Sequence, residues 1–73
     1  MNIIAAVLAS RVGLRVRAPK NLMAEGFFIP EGSLGRTRSC TCVGAIVGVQ
    51  WDGREDILDM AFKDLEVVDV DAA

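Results

Sequence analysis

The chain has 73 residues, a net charge of -2 and 52% hydrophobic residues, with no histidine and no tyrosine. A sequence this short forms one domain, residues 1–73, and buries only about 60% of its unfolded surface, so a disulfide, a metal or self-association commonly adds stability. The missing histidine excludes imidazole-based acid–base catalysis, a cysteine–histidine nucleophile and any zinc site with imidazole ligands.

The small net charge conceals an asymmetry. Residues 1–38 carry six basic side chains against two acids, whereas residues 39–73 carry two basic side chains against eight acids. Such a split fits a nucleic-acid patch, complementary subunits, or facing strands within one fold.

The chain opens with the apolar run Ile3-Ile4-Ala5-Ala6-Val7-Leu8-Ala9. It is too short to span a membrane and lacks the basic flank of a secretory signal. Residues 1–11 are therefore expected to pack on the domain or against a second subunit. Val12, Leu14, Val16 and Ala18 then alternate with Gly13, Arg15 and Arg17, which predicts a first strand ending at Pro19. Residues 19–33 read as a long loop without regular pattern, unusually apolar through Leu22, Met23, Phe27, Phe28 and Ile29. Two adjacent phenylalanines in an extended segment point to opposite sides, so at least one is expected at the surface.

Gly32 and Gly35 are read as turn residues leading into a second strand, Leu34 to about Val43. Cys40 and Cys42 lie on it. On a regular strand they share a face at about 6.8 Å, the upper edge of disulfide geometry, so both read as reduced thiols of a cytoplasmic protein. Ile46–Asp52 predicts a third strand with Val47, Val49 and Trp51 on one face, closed by the turn pair Asp52-Gly53. A fourth strand is expected over Ile57–Phe62, then a helical turn at Lys63-Asp64-Leu65 with Leu65 as a plug, then a last strand from Val67 to Val70.

The succession of Pro30-x-Gly32-x-x-Gly35, Val47-x-Val49-x-Trp51-Asp52-Gly53 and Asp64-Leu65-Glu66-x-Val68 resembles the Src-homology-3-like (SH3-like) barrel. It is similar to small bacterial single-barrel proteins of the mobile integron-cassette type and to KOW modules. The resemblance implies an all-β, five-stranded closed barrel over residues 12–70, with a long loop between strands 1 and 2. The tyrosine-rich groove of eukaryotic SH3 domains has no counterpart here.

Three functional readings follow. The favoured one is a non-catalytic, cytoplasmic binding module acting as a homo-oligomer, with Phe27, Phe28, Gln50, Trp51, Arg36 and Arg38 as candidate contacts; Trp51 is either core or a platform near the barrel mouth. A KOW-like nucleic-acid binder is the first alternative, using Arg15, Arg17, Arg36 and Arg38, with Asp69 and Asp71 expected to neutralise the first two across strands. The second is an oligomeric enzyme like the type II dihydrofolate reductases, whose pore strand Val-Gln-Ile-Tyr resembles Val49-Gln50-Trp51-Asp52 without its tyrosine. No cofactor and no metal is implied by the sequence.

Overall fold

The computed structural model describes residues 9–69. The expected N-terminal packing segment lies outside the described residues up to Leu8, as does the end of the expected last strand at Val70. The described residues form seven strands: β1 (Arg15–Arg17), β2 (Leu22–Ala24), β3 (Phe27–Ile29), β4 (Leu34–Thr41), β5 (Ile46–Trp51), β6 (Leu58–Ala61) and β7 (Glu66–Asp69). Single 3-10 turns stand at Cys42–Gly44 and Phe62–Asp64, the second one residue ahead of its expected place.

Five strands form an antiparallel sheet in the order β6-β5-β4-β1-β7, and β2 and β3 form a separate two-stranded sheet. β6 and β7 are the two ends of the larger sheet, so its hydrogen bonding does not close into a barrel. The protein is all-β, with two sheets where one closed sheet was expected. The smaller sheet corrects the reading of residues 19–33 as an irregular loop. It is a tight hairpin turning at Glu25-Gly26, with φ of 49° and 82°. Two consecutive positive φ values are the geometry that two-residue hairpins favour.

The first strand is also shorter than expected. Gly13 adopts φ 83°, which breaks the alternation, and Val12 is exposed. The segment stays tied to β4 because Thr37 N–H donates to Leu14 O at 2.9 Å and Leu14 N–H donates to Thr37 Oγ1 at 2.9 Å.

The core draws on both sheets. Val16, Ala18, Val47, Val49, Trp51, Leu58 and Met60 from the larger sheet meet Leu22, Ala24 and Ile29 from the hairpin. Leu65 is half-buried against this cluster. The alternation of Val47, Val49 and Trp51 toward one face is as expected, because a strand's side chains alternate with period two. The hairpin also reaches the β6 edge, where the Glu25 carboxylate accepts a hydrogen bond from Asp59 N–H at 2.7 Å. An edge donor is thereby satisfied, which makes β6 a poorer template for strand addition. Among the described residues no helix is long and apolar enough to cross a membrane.

Candidate binding groove

The β5–β6 connection is held in place by side chains from the sheet's outer face. Gln50 Nε2 donates to Arg54 O at 3.4 Å and to Glu55 O at 3.3 Å. Arg38 Nε in turn donates to Gln50 Oε1 at 3.0 Å. Arg38 reaches it because the β4–β5 register steps from Thr37 opposite Val49 to Ser39 opposite Gly48, making Arg38 the extra residue of a bulge.

Arg15 grips Asp52 through two hydrogen bonds of 2.8 and 2.6 Å, and Arg54 grips Asp56 through two of 2.9 and 2.8 Å. The hydrogen bonds from Arg15 hold the Asp52 carboxyl below its ordinary pKa, assisted by the charges of Arg15 and Arg36. Those from Arg54 do the same for Asp56. The Arg54 guanidinium also lies 4.3 Å from the centre of the Phe27 ring, a cation–π contact between hairpin and turn.

A groove of about 410 Å³ opens beside this turn. Trp51, Asp52 and Arg54 line it together with Phe28, Pro30 and Leu34. Trp51 is only 2% exposed, and its Nε1 is buried with no hydrogen-bond partner among the described residues. Phe28 is 58% exposed and stands opposite Met23, 66% exposed, on the outer side of the hairpin.

No family model, curated protein or solved structure matches the chain.

The six residues singled out from the sequence fall into distinct roles. Phe28 and Trp51 both line the groove, with Trp51 as buried floor and not as an exposed platform. Phe27 lies on the hairpin's inner side and touches the groove through Arg54. Gln50 and Arg38 fasten the turn from behind. Arg36 is committed to the backbone, its Nη1 donating to Gly13 O at 2.7 Å. Pro30, Leu34 and Arg54 were missed, although Asp52-Gly53 marked the turn that carries Arg54 into place.

Two further expectations need correction. Asp69 stands opposite Arg15 in the strand register, as expected, and the Arg15 guanidinium pairs with Asp52; Arg17 pairs with Glu66 at 2.8 Å, where Asp71 had been expected. Glu66 lies directly opposite Arg17, and the β1–β7 register shifts between Arg15 and Val16. Asp71 lies outside the described residues. The two cysteines do not share a strand face either. Cys40 is half-buried beside the core, while Cys42 has left the strand at φ 54° and is exposed. Among the described residues no group of three or more histidine, cysteine or acidic side chains is gathered to hold a metal.

Proposed function

We propose that the chain is a non-catalytic, cytoplasmic interaction module of SH3-like architecture that self-associates through the outer face of its β2–β3 hairpin. The observation that carries this reading is the exposed cross-strand pair Met23 and Phe28. Two large apolar side chains adjacent on one surface are the usual mark of a protein contact. A second copy suits the pair well. Under two-fold symmetry the same patch meets itself, which sets Phe28 of one copy against Met23 of the other, and a thioether against an aromatic edge is a favourable contact. A chain of this length also gains from the extra burial.

The SH3-like assignment is supported by strand order. Consecutive strands β4, β5 and β6 are neighbours, the last strand lies beside the first, and a 3-10 turn precedes it. Light scattering tests the association: the reading expects a dimer or larger at micromolar concentration, and a Met23→Glu variant that is monomeric. A wild-type mass of one chain overturns it.

A second reading keeps one observation in its favour. Among the described residues, Arg36 and Arg38 form no salt bridge, unlike Arg15, Arg17 and Arg54. Two such cations on one face make a small electrostatic footprint for a nucleic-acid backbone. Binding of labelled oligonucleotides that is lost in an Arg36→Gln, Arg38→Gln variant and weakens steeply with salt would favour it.

A further inference from the structure

β5 begins and β6 ends at one corner of the larger sheet, where Ile46 stands opposite Ala61. Phe62 N–H donates to Ala45 O at 2.9 Å, which keeps the two strand ends joined as the chain turns away. Beside this corner lies a cavity of about 530 Å³, lined by Arg11, Ala45, Ile46, Ala61, Phe62 and Lys63. Two of its four apolar residues are alanines, whose short side chains leave space open. None of the six belongs to the Met23 and Phe28 patch or to the groove beside the Asp52-Gly53 turn.

The charges at this cavity are all of one sign. Arg11 and Lys63 line it, and no acidic side chain does. Among the described residues neither of them forms a salt bridge. Arg11 is nonetheless fixed in place. Its Nη1 donates to Gly44 O at 2.6 Å, and its guanidinium carbon lies 4.4 Å from the centre of the Phe62 ring, where the residue is half-buried. Ring and carbonyl orient the cation, but neither carries a full negative charge to balance it. A cation already oriented gives up less side-chain freedom when an anion arrives than a free surface arginine does. The planar fork of a guanidinium matches a carboxylate, and the apolar lining beside it matches a hydrocarbon chain.

We propose that this cavity binds a free aliphatic monocarboxylate, its tail against Ala45, Ile46, Ala61 and Phe62 and its head paired with Arg11 and Lys63. The volume of about 530 Å³ lies within the range of small-ligand sites and accommodates a chain of medium length. Tail and head contribute differently. Each buried methylene strengthens binding about fourfold, whereas the two cations select an anion over a cation of the same length. The site stands independently of self-association and of the SH3-like assignment.

Octanoate, kept below its micelle-forming concentration, is the probe, titrated into the nitrogen-labelled protein. It is expected to shift the amide resonances of Ala45, Ile46, Ala61, Phe62 and Lys63 saturably. Acetate, with the head alone, and octylammonium, with the tail and the opposite charge, should each bind at least about tenfold more weakly. Lys63→Gln, at an exposed position, should weaken octanoate several-fold, and Arg11→Gln should weaken it further. Lys63→Gln carries the test where loss of the Arg11 contact to Gly44 disturbs the fold. Lys20→Gln, at an exposed position outside the cavity, should leave the titration unchanged. Shifts that do not saturate, that map elsewhere, that octylammonium reproduces at equal strength, or that survive Lys63→Gln undiminished overturn the proposal. An absence of any shift, the result if another segment of the chain or a second copy fills the cavity, overturns it as well.

Discussion

Gly35 and Trp51 face one another across β4 and β5, and the space a side chain would take at Gly35 is filled by the indole. A Cβ added at Gly35 would stand 3.0 Å from Trp51 Cε3 and 2.9 Å from both Gln50 O and Val49 Cγ1. One of those neighbours is backbone and cannot step aside. Gly35→Ala should therefore destabilise the fold by about 1–3 kcal/mol, the range for overpacking a filled interior. Denaturant unfolding reads the loss, and a shift in Trp51 fluorescence shows that the groove floor has moved. An unchanged midpoint would mean that the sheet relaxes freely there.

Thr37 is fully buried, and its hydroxyl is the partner of the Leu14 N–H. Thr37→Val keeps the shape and removes the acceptor. The orphaned donor should cost about 1–3 kcal/mol, whereas Thr37→Ser keeps the bond and loses one methyl, about 1 kcal/mol. Hydrogen exchange at Leu14 separates the two, since only the valine variant should speed it. Equal exchange in both variants would show the hydroxyl to be dispensable.

These two sites also show what the sequence conceals. Gly35 was read as a turn residue beside Gly32, yet only Gly32, at φ 89°, has the positive φ such a turn requires. In a sequence, a glycine needed for conformation looks the same as one needed for space. Val47, Val49 and Trp51, by contrast, were legible because alternation with polar or small neighbours dictates a buried face. The hairpin was hidden for the opposite reason. Leu22, Met23 and Ala24, like Phe27, Phe28 and Ile29, are apolar on both faces, so period two leaves no trace in strands of three residues. Its turn, Glu25-Gly26, also lacks the asparagine or aspartate that signals such turns. The groove was half legible: its aromatics stood out by type, but Pro30 and Leu34 join it only through the approach of two distant turns.

The Arg15–Asp52 pair predicts an acid-sensitive turn. The Asp52 pKa is depressed in the folded protein, chiefly by hydrogen bonds from Arg15, so its contribution is full above the unfolded value. It is lost as pH falls below about 4, through the lower folded value. Asp52→Asn should flatten the fall in stability below about pH 4. The effect should be modest and shrink in high salt, because the pair is exposed. Melting curves across that pH range check it, and an identical acid limb in wild type and variant would remove Asp52 from the account.

Thiol chemistry should separate the two cysteines. Cys42 is exposed at the end of β4, while Cys40 is half-buried against the core. Access to the reagent sets the order in which the two thiols react. A chromogenic disulfide reagent should consume one equivalent quickly and a second only slowly, and Cys42→Ser should abolish the fast phase alone. Two equal phases would place both thiols at the surface.

The β4–β5 connection stores backbone strain that substitution should release. Cys42 and Val43 both have φ 54°, and Gly44 follows at 92°. A β-branched residue in the left-handed region is costly, by roughly 1–2 kcal/mol, because its Cβ crowds the following carbonyl. Val43 gains little in return, since its side chain is 62% exposed. Val43→Gly removes the crowding but gives the unfolded chain more freedom, about 0.5–1 kcal/mol in the other direction. Val43→Asn tolerates the same conformation without that entropy penalty. Asparagine should therefore stabilise the protein by about 1 kcal/mol, with glycine near neutral or slightly stabilising. Chemical denaturation ranks the three. If valine proves the most stable, its exposed side chain meets another surface in solution, and the gain should disappear at concentrations where light scattering finds single chains.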